Sequence, residues 1–175
     1  SQVYYGLAGV MIVEDDVSAE LGLPKTYGVD DIPLILQDRS FNSDGSFNYN
    51  SNMMDGAIGD TIIVNGAIAP TLDVNQIKMR FRIINGANAS NFNLTVGDGA
   101  QFHQIASDGG FLESPVLEKS LFISPGERAE IVVDFSRFEK GQTVAMKSGD
   151  SDVMYFRIAD SQKDDTIIPD ELAEI

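Results

Sequence analysis

Short apolar runs alternate along the chain with turns of glycine, asparagine and aspartate, and the dominant period is two. The clearest case is IKMRFRIIN, residues 77–85. Ile77, Met79, Phe81 and Ile83 share one face and Lys78, Arg80 and Arg82 the other, which predicts a half-buried strand with an exposed basic stripe. NFNLTV alternates in the same way. IPLILQD is almost continuously apolar and predicts a strand buried on both faces. VYYGLAGVMIVED, near the start, is apolar and β-branched and also reads as a strand.

Turn chemistry punctuates these runs. Asp44-Gly45 lies between two Phe/Asn segments and Asn65-Gly66 between two apolar ones, and both predict hairpins. AQFHQIA, SLFIS, RAEIVVDF, QTVAMKS and VMYFRIAD follow at spacings of roughly 8–12 residues. Only residues 15–22 and 169–175 could hold short helices. About ten strands with turns between them predict an all-β fold, an antiparallel Greek-key β-sandwich or barrel. The polar, acidic end DSQKDDTIIPDELAEI reads as a linker leaving the domain.

Composition narrows the function. The 175 residues suit one domain, large enough for a core without covalent staples. No apolar run approaches the ~18 residues of a membrane span, and the chain shows no basic, apolar leader at its start. A formal charge of −15 repels phosphates, so nucleic acid is an unfavourable partner. The absence of cysteine excludes disulfides, thiolate metal sites and a cysteine nucleophile.

The single histidine, His103, invites a chemical reading. One histidine without cysteine cannot build a zinc, copper or iron site of the usual kind. A Ser-His-Asp arrangement needs only one histidine, but there is no Gly-x-Ser-x-Gly elbow to supply the serine. Packing on a strand is the preferred reading, with His103 and Ile105 on one face and Phe102, Gln104 and Ala106 on the other. Carboxylates are plentiful at Glu14-Asp15-Asp16, Asp30-Asp31, Asp108 and Asp164-Asp165. They permit glycosidase or calcium chemistry in principle, yet NSDGSFN lacks the spacing of a calcium loop and reads as a turn. Asp108-Gly109-Gly110 is a turn too, and the sequons at Asn88 and Asn93 are weak signals. The stripe Lys78, Arg80, Arg82 is either solvated or a docking face for another domain. The residues alone yield a β-sandwich to which no catalytic, cofactor-binding or metal-binding residue is assigned.

The strings GLAGVMIVEDD, LPKTYGVDDIPLILQDRSFNSDGSFNY, GDTIIVNGAIAP, MRFRIINGANASNFNL, IASDGGFLESPV and SPGERAEIVVDFS run in that order from Val3 to about Leu172. Together they resemble bacterial three-domain multicopper oxidases: cuprous oxidases of copper tolerance, spore-coat laccases and bilirubin oxidases. The resemblance is to the second, or middle, cupredoxin-like domain. It implies residues 1–16 as the last strand of a first domain, 17–162 as the middle domain and 163–175 as a linker toward a third. It also implies that copper, as a type 1 site and a trinuclear cluster, belongs to the intact parent and not to this chain. Gly126, Glu127 and Arg128 match the family's PGER turn, read as structural, with the charged pair tied to neighbouring backbone.

The resemblance supports a structural domain, inactive alone, in a parent that couples oxidation of phenols or cuprous ions to reduction of oxygen. A copper-free relative acting as a scaffold or binding protein, such as the cell-division proteins that keep the fold and lose the ligands, is the alternative. A free-standing carbohydrate- or calcium-binding sandwich is a weaker one. The implied partners are the first and third cupredoxin domains, and the parent is expected to be exported to the periplasm, cell wall or medium. Residues 3–14, separated from the first domain's sheet, are predicted to pack back, to swap into a partner chain or to drive self-association.

Overall fold

A computed structural model describes residues 2–50 and 54–174, so Ser1 and Ile175, the ends of two predicted segments, lie outside the described residues. In chain order the strands are β1 (Asp31–Arg39), β2 (Thr61–Val64), β3 (Ala67–Ile68), β4 (Thr71–Val74), β5 (Lys78–Asn85) and β6 (Phe92–Val96). They continue as β7 (Phe102–Ser107), β8 (Gly110–Glu118), β9 (Leu121–Ile123), β10 (Arg128–Asp134), β11 (Thr143–Ser148) and β12 (Ser151–Ile158). One sheet has the order β3-β2-β1-β5-β10-β7-β8 and the other β4-β12-β11-β6-β9. The all-β prediction therefore holds.

The antiparallel prediction holds for most ladders but not all. β1 runs parallel to β5, and β4 runs parallel to β12. Parallel neighbours need a long connection rather than a hairpin. Residues 40–77 supply the one between β1 and β5 by travelling through β2, β3 and the opposite sheet's β4.

The two sheets close on one core. β5 sends Met79, Phe81 and Ile83 inward, as its period of two predicts. The ring of Phe156 from β12 meets Phe81 at 5.3 Å, and Phe135, just after β10, lies 4.9 Å from Phe156. Such tilted aromatic contacts tie the two sheets through large buried areas.

Both turn signals form turns. Asn65 and Gly66 adopt φ of 50° and 83°, the left-handed pair that a two-residue hairpin loop requires. Asn65 does more than turn: its Oδ1 accepts from Ile35 N–H at 2.8 Å and its Nδ2 donates to the Pro33 carbonyl at 2.9 Å. It thereby continues the β1 ladder where β2 has ended. The Asp44-Gly45 arm is a short hairpin closed by Asn42 N–H to the Ser46 carbonyl and Asn48 N–H to the Ser40 carbonyl, with Asp44 Oδ1 accepting the Ser46 N–H.

Two predicted elements differ and a third forms. Residues 7–15 form no strand, and Leu7, Met11 and Val13 are exposed. An apolar run has nothing to ladder against there, and a strand exists only with a partner for its backbone groups. Helix α1 forms at Asp16–Glu20, capped by Asp15, whose side chain accepts the Ser18 N–H. Residues 169–174 form no helix. The candidate segment is too short to sustain one alone.

The polar end docks on the sheet over part of its length. Asp164 accepts the Lys78 N–H at 2.8 Å, and Leu172 N–H donates to the Glu113 carbonyl on β8. Ile168 and Leu172 then pack with Leu23, Ile105 and Val132 in a second apolar cluster outside the seven-stranded sheet. Two apolar side chains in an otherwise acidic segment are enough to seat it there.

Candidate functional site

His103 sits on β7, paired across the ladder with Leu117 on one side and Val132 on the other. Its neighbour Phe102 enters the main core, and Ile105 enters the outer cluster. His103 therefore faces outward and is half-buried. Burial, and then the nearby Arg137, hold its pKa below the ordinary histidine value, against a smaller opposing pull from Asp134. It makes no hydrogen bond among the described residues, so no serine is poised on it. Among the described residues no group of three His, Cys, Asp or Glu could hold a metal ion. Copper needs several nitrogen or sulfur donors, and this chain's donor set does not fit it.

The basic stripe corrects the expectation of a solvated face. Arg82 donates from Nε and Nη2 to Asp31 at 2.9 and 2.7 Å, and from Nη1 to Glu130 at 3.2 Å. Arg80 donates from Nε to Glu130 at 2.7 Å and pairs with it through Nη2 as well. The Arg80 guanidinium also stands 5.3 Å from the Phe111 ring centroid. Lys78 turns instead to Asp164. Burial opposes charge on Arg82, yet the Asp31 hydrogen bonds and the Glu130 and Asp31 charges raise its pKa above the ordinary value.

The physical reason is the position of β5. It is a central strand, so its outward face is shared with β1 and β10, which bring Asp31 and Glu130 alongside. Residues 13–19 and 172–174 then wall the cleft above. The stripe was legible in the sequence. Its carboxylate partners were not, because they come from strands distant in sequence.

The remaining acidic candidates have separate structural tasks. Asp30 accepts the Thr26 N–H, and Asp15 caps α1. Asp108 accepts the Arg128 N–H at 2.7 Å, while Arg128 Nη2 donates to the Asp108 carbonyl. Glu127 accepts the Ser124 N–H at 2.6 Å. The PGER turn is thus tied to backbone as predicted, and it clasps the Asp-Gly-Gly turn.

A second cluster lies where β1 ends. Tyr4 is 1% exposed and inserts between the arms of the 40–49 loop. Its hydroxyl accepts the Ser40 N–H at 2.9 Å and donates to the Asn48 carbonyl at 2.8 Å. The Tyr49 and Phe47 rings stand edge-on to it at 4.9 and 6.1 Å, and the Arg39 guanidinium lies 4.7 Å from its centroid. Gly59 permits the close pass of the following segment, since a Cβ there would strike the Arg39 backbone. The aromatic residues were visible in the sequence, but their convergence on Arg39 depends on the 36-residue separation between Tyr4 and Ser40.

Residues 14–152 match the multicopper oxidase family. Cell division protein FtsP of Escherichia coli K12 is 42% identical over 157 residues, which are 90% of this chain and 33% of that protein. FtsP of Yersinia pestis is 44% identical over 149 residues, 85% of this chain and 31% of that protein. The chain thus spans about a third of the length of these curated relatives. Among solved structures, the McoA multicopper oxidase of Aquifex aeolicus superposes with a TM-score of 0.94 at 38% identity. That superposition covers 99% of this chain and 41% of the oxidase.

Proposed function

The chain belongs to the multicopper oxidase family, and from that premise we propose that it is the structural middle domain of a copper-free, scaffold-type member. Its place in the parent would be to hold a first and a third cupredoxin-like domain in fixed relation. Residues 1–16 would connect to the first domain and 163–175 to the third. The observation that carries this reading is the identity of 41–44% to proteins named cell division protein FtsP, over most of this chain. The structural role of this domain fits its engaged carboxylates in either kind of parent, since Asp31, Glu130, Asp108 and Asp164 are bound to arginine, lysine or backbone.

The laccase-like reading of the parent rests on the McoA likeness at 38% identity. In that case copper would be held wholly by other domains, and this one would still act as a spacer. Among the described residues no helix is long and apolar enough to cross a membrane. An exported parent working at the cell envelope fits the division-protein relatives. The exposed side chains of Tyr5, Leu7, Met11 and Val13 fit a segment covered by the rest of such a parent, or by a second copy.

Copper analysis of the intact parent, purified after loading with cuprous and cupric salts, tests the proposal. Sub-stoichiometric copper and no oxygen uptake with phenols or cuprous ions are expected. Several tightly bound copper ions per chain with oxygen consumption would replace the scaffold by an oxidase.

A further inference from the structure

Beside the Tyr4 cluster the outward face of β1 floors a groove of about 750 Å3. Pro33, Ile35, Gln37 and Arg39 alternate along its floor, and Ile63 and Ile68 extend it across β2 and β3. Gly6, Ala8 and Val10 form one wall. The volume lies within the range of small-molecule sites, and so does the mix of an apolar lining with a few polar groups.

Arg39 is the exceptional group. It is 1% exposed, and its Nε is buried without a hydrogen-bond partner. Nη1 reaches only the Asp38 carbonyl and Nη2 only the Val3 carbonyl. Arg39 makes no ion pair among the described residues. The neighbouring Asp38 carboxylate is engaged elsewhere, since its Oδ2 accepts from Gly59 N–H and Ser90 Oγ. The contrast with Arg82, held by two carboxylates on the same sheet, is direct. Among the described residues no carboxylate hydrogen-bonds this guanidinium, and Asp38 acts on it electrostatically without pairing. A buried cation without a counter-charge is costly, and an anion that supplies one gains correspondingly.

We propose that this groove binds a small carboxylate carried on an aromatic or branched aliphatic body, with the carboxylate drawn to Arg39 and the body seated on Pro33, Ile35 and Ile63. The entry point is Phe47, whose ring lies 5.8 Å from the guanidinium and is 38% exposed. Its arm is held at the base by the Asn42–Ser46 and Asn48–Ser40 backbone hydrogen bonds, so entry requires the exposed ring alone to turn and not the arm to open. The inference is independent of whether the parent holds copper.

The test is an amide NMR titration of this chain with phenylacetate, 2-phenylethanol and phenethylamine, three probes of one body and different charge. Phenylacetate is expected to shift the amides of Ile35, Arg39, Phe47 and Ile63 saturably. The alcohol should bind about tenfold more weakly, the difference that one charged hydrogen bond makes. Arg39→Met should erase that preference. Should it fail to fold, Ile68→Glu serves, because residue 68 is 61% exposed and a carboxylate there repels the acid without touching the core. Equal shifts with the amine, shifts confined to another face, or unchanged binding in Ile68→Glu would overturn the assignment. Tighter binding of the blocked peptide acetyl-Ile-Glu-Ile-amide would overturn it too, by making the ligand a protein segment.

Discussion

Asp31 grips Arg82 with both carboxylate oxygens from a strand parallel to the arginine's own, at 2.7 Å to Nη2. The parallel register places Arg82 opposite Pro33, so the carboxylate reaches diagonally along the outward face. Breaking a buried pair leaves an uncompensated charge and costs more than the pair contributes net. Asp31→Ala is therefore expected to lower stability by about 3 kcal/mol, read as a fall in urea midpoint at constant slope. Replacing the pair together, Asp31→Leu with Arg82→Met, should recover most of that loss. An unchanged midpoint in the single variant would show that Glu130 alone satisfies Arg82.

Asp164 ties the acidic end of the chain to the start of β5. Burial opposes its ionisation, but hydrogen bonds from the Lys78 and Thr166 backbone and side chains outweigh it and hold its pKa at about 2, against 3.8 when free. A carboxyl with a depressed folded pKa stabilises the fold above its unfolded pKa, and that contribution is lost as pH falls through the folded value. The window here is pH 3.8 to about 2. Asp164→Asn should cost about 1–2 kcal/mol at neutral pH and flatten the stability slope in that window. Hydrogen exchange should also rise at Leu172, whose N–H depends on the docked tail. A variant with the native acid slope would assign the slope to other carboxylates.

Tyr4 is a hydrogen-bond splice between two backbone strands of the 40–49 loop. Tyr4→Phe keeps the ring but leaves the Ser40 N–H and the Asn48 carbonyl short of a partner, at an expected cost of about 1–2 kcal/mol. Tyr4→Ala also empties the aromatic cluster and should cost about 3 kcal/mol or more. Limited proteolysis within residues 40–49 should accelerate in the same order. Equal loss in both variants would mean that the ring contributes nothing.

What the sequence made legible was what local patterning controls. The period of two in β5 placed Phe81 correctly in the core, and Asn65-Gly66 made its hairpin, because sterics act over a few residues. Long-range facts stayed hidden. Nothing in MRFRI reveals that Asp31 and Glu130 flank it, since strand order is a property of the whole sheet. Residues 3–15 looked like a strand because apolar β-branched composition reports propensity, while a ladder needs a neighbour. The docking of the tail stayed hidden for the opposite reason: its charges masked Ile168 and Leu172, the two residues that seat it.

His103 carries a signed pH effect on stability. Its folded pKa is depressed, by burial and then by Arg137, below the free value of 6.5. A depressed histidine disfavours protonation in the fold, so the unfolded chain binds the proton more readily just below pH 6.5. Stability must therefore fall as pH drops through that window and rise again as the imidazole loses its proton. His103→Gln, neutral throughout and similar in reach, should remove this step and otherwise leave the fold intact. NMR titration of the imidazole reads the pKa directly. A value at or above 6.5 would require an anionic partner on the outer face that Asp134 alone does not provide.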